Sequence, residues 1–446
     1  MDYIPLSEND IRFMLDALGL NNIKELFSEI PEEIKLKRDL NLSQGLTEIE
    51  LAKAIKDLAK LNKTISDYFW FAGGGCYRHF VPQALNEVSH RQEFYTAYTP
   101  YQPELSQGTL QALFEYQTMV CNLLQMEVTN DSMYDGATAT AEAMFMVCDI
   151  TKGKKVLVAR SLHPEYRTIL NTYARSRDIT IEEIPFDSRT GRVDTVPLER
   201  ALIDSSCFIF QTPNFFGVIE DSELLEDLVH KRDSFLIPVI LEPLSLAILK
   251  PPGEYNADIT CGDLQSFGLG MRFGGPTSGF LATKMKYIRR LPGRIVGLTN
   301  DLGGNTAYAF VLQTREQHIR RASATSNICS NETLCAIKVA IYLSLMGEDN
   351  LKSLAWTNYN LALMTYNEFG SYFDAPLFNE FLVPVKTSVS EVKNLLKKEG
   401  FIVLDPSRWY PELENVLLLA FTEMNTEIEI MSLIEVLKPY VRSVSF

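Results

Sequence analysis

The stretch GATATAEA, residues 136–143, brings a glycine and two threonines to the start of a helix. The first N–H groups of a helix have no intrahelical partner and sit at the positive end of its dipole, so such a start suits an anion. Gly136, Thr138 and Thr140 are the candidate cradle, and a packed helix start with threonine caps is the plain alternative. The spacing is neither GxGxxG nor a Walker loop. His163, in ARSLHPEYR, follows a short apolar run. A histidine at the end of a parallel strand faces the crevice where ligands sit, unless it merely enters a helix before Pro164. Glu242, in VILEPLSLAIL, ends an apolar strand, where a carboxylate is costly to bury unpaired. A ring nitrogen, an arginine or solvent are its possible partners, and ordinary structural pairing is the competing reading.

Two further segments carry polar groups among aromatics. TAYTPYQPELSQG, residues 96–108, with Tyr95 before it, gathers Tyr95, Tyr98, Tyr101, Gln102, Glu104 and Gln107. Aromatic walls with a few amides and one carboxylate suit a small polar ligand or a protein partner. A Pro-rich loop packed on its neighbours is the alternative. LQTREQHIRRASATSNICSNE, residues 312–332, sets Arg315, Arg320 and Arg321 in a helical frame with Glu316 and His318. Glu316 and Arg320 are spaced for a pair on one helix face, and arginines near a substrate carboxylate are the sharper reading. Six glycines in residues 262–280 require tight turns or a close backbone approach. No Ser–His–Asp order and no HExxH metal motif occurs.

These groups need a scaffold, and its pattern is readable. From about 109 to 290, helical stretches alternate with short β-branched runs at 156–158, 207–211, 236–241, 258–260 and 279–282. That alternation implies crossover units and a largely parallel sheet covered by helices. Residues 1–66 read as a polar helical arm, with Ser7/Asp10 and Thr47/Glu50 as helix starts and Gly19 as a stop. A helix from Thr333 ends at Gly347, and residues 350–446 add two helices and strands near 381–385 and 416–420. The expected division is therefore an arm at 1–66, a large α/β domain at 67–332 and a small α+β domain at 333–446.

With 446 residues, 46% of them apolar and 11% aromatic, the chain supports a sizeable core. Its net charge of −15 argues against a general nucleic-acid binder, which needs a basic face. No run is long and apolar enough to span a membrane, and MDYIPLSEND lacks the basic-then-apolar order of a leader. The seven cysteines are odd in number and lack a CxxC, so they are expected as reduced, largely buried thiols of a cytoplasmic protein, with no metal site.

EFYTAYTPYQPELSQGTLQALFEYQT, SMYDGATATAEA, TPNFFGVIE, EPLSLAILKPPGEYNADI, FGGPTSGF, PGRIVG and LQTREQHIRRASATSNICSNE together resemble subunit 1 of the two-subunit bacterial glycine decarboxylase P-protein. The resemblance runs from about residue 3 to the C-terminus. It implies a fold-type I pyridoxal-phosphate enzyme with a mostly parallel sheet and a small C-terminal domain. It also implies a complex with P-protein subunit 2, as α2β2, that decarboxylates glycine and passes the aminomethyl group to the lipoyl arm of H-protein. In that family pattern His163 falls near the ring-stacking position, Glu242 near the ring nitrogen, and Gly136 to Thr140 near the phosphate. Counting back from Pro276, the lysine that must hold the cofactor falls at about Gln265, with Ser266 beside it, and an amide forms no Schiff base. Between Lys250 and Lys284 there is no lysine. The resemblance thus implies a vestigial site, with pyridoxal phosphate bound by the partner subunit. The loop of Tyr95 to Gln107 would shape the partner's glycine pocket or lipoyl channel, and Arg315 and Arg320 would serve an interface. Two other readings stay open: a pure scaffold, and an independent enzyme using Lys250 or Lys284.

Overall fold

The computed structural model describes residues 6–442. Residues 1–5, on which the reading of the leader partly rested, and residues 443–446 lie outside the described residues. The chain divides into two compact units, 1–63 and 64–446. The first holds the helices Glu8–Leu18 and Glu48–Ala59, each opened by a reciprocal capping box, Ser7 with Asp10 and Thr47 with Glu50. Gly19 closes the first helix in the left-handed conformation. Neither helix buries a residue.

The second unit begins with the short strand β1 (Phe69–Trp70) and is built on seven strands: β2 (Val128–Thr129), β3 (Lys155–Ala159), β4 (Thr180–Ile184), β5 (Cys207–Gln211), β6 (Phe235–Ile240), β7 (Ile259–Asp263) and β8 (Gly279–Thr283). Their order across the sheet is β2-β8-β7-β6-β5-β3-β4. All pairs are parallel except those of β8, which runs antiparallel to both neighbours. The central strands β5 and β6 are almost wholly apolar and buried because helices cover both faces, whereas the edge strand β4, TIEEI, is mostly exposed. Alternate residues divide accordingly. Leu157, Phe208, Phe210, Leu236 and Ile240 enter one core, and Val156, Val158, Ile209, Ile237 and Val239 the other. Each such side chain contributes about 1.5–3 kcal/mol on burial.

After the sheet come a hairpin, β9 (Val296–Asn300) with β10 (Thr306–Phe310), and a long helix, Thr333–Phe369. The stop expected at Gly347 is a kink: its φ of +65° breaks the helix locally, and the chain then resumes helical turns to Phe369. A last layer pairs β11 (Glu380–Pro384) antiparallel with β13 (Val416–Ala420). Between them, β12 (Phe401–Ile402) pairs in parallel with β1, so the start and end of the second unit are woven together. Residues 333–446 accordingly belong to the same compact unit as the sheet. Among the described residues no helix is long and apolar enough to cross a membrane, and no three metal-ligating side chains cluster.

Candidate functional site

The crevice at the carboxyl ends of β3, β6 and β7 brings together His163, Glu242, Gln265 and the start of the helix Gly136–Thr151. Each lies just beyond a strand or at a helix entrance, where the chain must turn. Sequence separation is no obstacle, since parallel strands point their ends the same way.

The anion cradle is already filled. The Gly136 N–H donates to Asp263 Oδ2 at 3.0 Å, and Asp135 caps the same helix through the Thr138 N–H at 2.7 Å. Asp263 also accepts from the Gln265 N–H at 2.9 Å and from the Thr277 hydroxyl. Burial raises its pKa to about 6, against the pull of these donors. Thr140 turns back to the Gly136 carbonyl at 2.7 Å, so its hydroxyl is spent inside the helix.

Glu242 ends on a histidine the sequence did not single out. It is 3% exposed, and His79 Nε2 lies 3.0 Å from its Oε2. The other ring nitrogen of His79 is 2.9 Å from Glu423. Burial opposes the histidine's charge, but the carboxylates of Glu242 and Glu423 outweigh it and raise its pKa to about 10. Ser266 and the Leu244 N–H complete the bonds to Glu242. Gln265, expected near the place of the cofactor lysine, pairs with the backbone of Tyr77 in both directions: it accepts from the N–H at 2.9 Å and donates to the carbonyl at 3.0 Å. Tyr77 in turn donates its hydroxyl to Glu380 at 2.9 Å. Burial lifts Glu380 to about 8, against the pull of the Gly74 N–H and the Tyr77 hydroxyl.

His163 is neutral, because burial lowers its pKa to about 4. Its Nε2 lies 2.8 Å from the Gly74 carbonyl, its Nδ1 accepts from the Glu165 N–H, and its ring packs edge-on against Phe215. The one local sign of this assembly is the run GGGCYRHF: three glycines before a histidine announce a close backbone approach.

Neither alternative lysine approaches this crevice. Lys284 bonds Asp258 and Asn256 just before the start of β7, whereas Gln265 follows its end. Lys250 is exposed and pairs with Glu223. With no amine at Gln265 and each polar position partnered from within, the residues present do not fit pyridoxal phosphate.

The second constellation is a surface. Tyr95, Tyr98 and Tyr101 are exposed, Tyr98 at 72%, and Gln102 and Glu104 are exposed beside them. Arg294, itself buried, orders the loop: it donates to Tyr101 Oη at 2.9 Å and lies over that ring. Tyr98 shares a hydrogen bond of 2.5 Å with Ser330. Gln107 does not face outward. Its amide bonds the backbone of Tyr308 in both directions, tying the loop to β10. Arg315, expected at an interface, is 8% exposed and donates inward to the Leu312 and Gly293 carbonyls. The helical frame expected for Arg315 to Arg321 is broken into the short helix Gln317–Arg320 and flanking 3-10 turns at Gln313–Arg315 and Arg321–Ser323. Glu316 faces Arg294 and His318 instead of Arg320, which is exposed and bonds the Thr314 carbonyl. All seven cysteines are unpaired, and Cys329 is exposed rather than buried.

The sheet order, the single antiparallel strand and the crevice at the strand ends define the fold of fold-type I pyridoxal-phosphate enzymes. A sphingosine-1-phosphate lyase from Burkholderia pseudomallei shares that fold at 12% identity, with a TM-score of 0.67 over 91% of this chain and 93% of the lyase. The chain belongs to the glycine cleavage system P-protein family, whose model matches residues 1–437. A Carboxydothermus hydrogenoformans protein named "Probable glycine dehydrogenase (decarboxylating) subunit 1" is 46% identical, over 98% of this chain and 99% of its own. The namesake from Thermotoga maritima is 45% identical, over 98% and 99%. A crystal structure of glycine decarboxylase (P-protein) in inhibitor-bound form superposes with a TM-score of 0.88 at 38% identity, covering 98% of this chain and all of that one.

The buried groups predict a pH dependence. His79 moves from 6.5 to about 10 on folding and Glu380 from 4.5 to about 8. Both bind protons more tightly when folded, so the unfolded chain holds fewer and stability falls as pH rises across that range. Three groups that folding lowers act oppositely: His163, up to about pH 6.5, and Glu423 and Asp258, only at more acid pH; none of them reaches the range above pH 7 where His79 and Glu380 act. The urea midpoint should be lower at pH about 9 than at about 6; an equal or higher midpoint would contradict the protonated pairings.

Proposed function

We propose that this chain is the half of a two-chain glycine decarboxylase that lacks the Schiff-base lysine. It is subunit 1 of the decarboxylating glycine dehydrogenase of the glycine cleavage system, and its partner, subunit 2, holds pyridoxal phosphate. The observation that carries this reading is the absence of lysine between Lys250 and Lys284, the stretch in which Gln265, expected near the lysine's place, is bonded on both sides to Tyr77. The cofactor, bound by the partner, supplies the electron sink for the carbon that loses carbon dioxide. The aminomethyl group then passes to the lipoyl arm of H-protein.

In this reading the chain's own contribution is the loop of Tyr95 to Gln107. Its rings are exposed while its base is held rigidly by Arg294 and Gln107, the combination expected of a wall donated to a neighbour. Tyr98, Tyr101, Gln102 and Glu104 line the partner's glycine pocket or lipoyl channel. Arg320 meets the partner or H-protein at its edge, while the buried Arg315 bonds the Gly293 carbonyl beside Arg294. An α2β2 assembly and a cytoplasmic location belong to the same reading. The exposed, unpaired Cys329 suits a reducing compartment.

The test is glycine–bicarbonate exchange by subunit 2 with and without this chain. Tyr98→Ala and Glu104→Gln should each reduce exchange by roughly 10–100-fold, the loss of one or two directed contacts, while the complex elutes unchanged. Full exchange in both variants would favour the scaffold reading.

A further inference from the structure

We propose that Gly73–Phe80 is a built-in plug, a segment of this chain that fills the cofactor position of its own fold and clamps the sheet to the antiparallel layer of β11 and β13. Four contacts meet in it or beside it. The His79 imidazolium stands against Glu242 as a cationic ring nitrogen would. The Asp263 carboxylate supplies the negative charge at the N-terminus of the helix Gly136–Thr151. Gln265 holds the Tyr77 backbone from the lysine position. His163 closes on the Gly74 carbonyl instead of on a ring face.

The segment reaches so deep because it carries no side chains at its entry. Gly75 has φ +94°, and a Cβ there would lie 2.9 Å from the His163 ring. The opposite side is held as firmly. Glu380 accepts the Gly74 N–H at 2.6 Å, Glu423 accepts the Phe80 N–H at 2.6 Å, and Thr422 donates to the Arg78 carbonyl at 2.6 Å. The plug therefore bonds the ends of β6 and β7 on one flank and the C-terminal layer on the other.

A consequence distinguishes this from the loss of one amine. A phosphate group would have to displace a buried carboxylate and approach Asp135 as well, against like charge. A pyridine nitrogen would have to displace His79 from two carboxylates. Restoring the lysine alone does not restore the site.

The assembled two-chain complex provides the test. Hydrogen exchange should show the amides of Gly74, Tyr77 and Phe80 protected to the same degree as those of β7. Exchange at the rate of an exposed loop overturns the proposal. Next, the Gln265→Lys variant, in a complex of unchanged size, is saturated with pyridoxal phosphate, reduced with borohydride and mapped. The expected result is no phosphopyridoxyl group on the peptide carrying residue 265, and a label there also overturns the plug. Label on the partner chain reports separately on the proposed function. Neither readout uses turnover, so either idea can fail while the other stands.

Discussion

Replacing His79 with alanine should cost the folded chain about 3–5 kcal/mol, the range for removing one partner of a buried ion pair. The side chain is 3% exposed and stands between Glu242 and Glu423. Without it, two carboxylates are left close together with no cation between them. The damage is larger than the value of the contact itself, since the loss includes the uncompensated charge left behind. Urea unfolding of His79→Ala against the parent chain measures it. Glu242→Gln in the same background removes one of the stranded charges and should recover part of the loss, a coupling of about 1–3 kcal/mol. A parent-like midpoint for His79→Ala would show that the buried cation does not hold the layers together.

Gly217→Ala should be of similar size, through sterics instead of charge. Gly217 closes the turn of TPNFFG with φ +80°, and a Cβ there would come 1.7 Å from the carbonyl oxygen of Glu380 in β11. The left-handed conformation alone costs a non-glycine residue about 1–2 kcal/mol. The clash adds more, because its target is strand backbone that cannot rotate away. Asn214 pins the turn, accepting the Phe216 and Val218 N–H groups at 3.0 and 3.2 Å, so the turn cannot yield either. A total on the order of 4 kcal/mol follows, at the upper end for single substitutions. Gly304→Ala is the control. Its φ is +82°, but nothing lies within 4 Å, so only the conformational cost of about 1 kcal/mol should appear. Equal losses in the two variants would refute the steric account.

Much of the molecule was readable before folding was considered, where the determining interaction is local. Ser7 with Asp10 and Thr47 with Glu50 each lie three residues apart, and the caps form as their spacing implies. The strands read at 207–211 and 236–241 announced themselves by β-branched and aromatic runs between turns, and form at Cys207–Gln211 and Phe235–Ile240. Gly347 was readable as a break, yet the helical residues beyond it continue into the same layer, so it bends the path without ending it. Gln107 and Arg315 were misread for one reason: a polar side chain in a loop gives no sign of whether solvent or a distant carbonyl will claim it.

By itself the sequence determined the family, through long motifs, and it shows a lysine-free stretch between Lys250 and Lys284. It also determined the parallel sheet, because alternating strand and helix periods admit few other arrangements. Only the tertiary structure decided what became of the crevice. His79 lies 163 residues from Glu242 and 344 from Glu423, and Asp263 lies 127 residues from Gly136. Such pairings depend on where strand ends meet in space and on burial that makes an unpaired charge intolerable, and no local pattern records either.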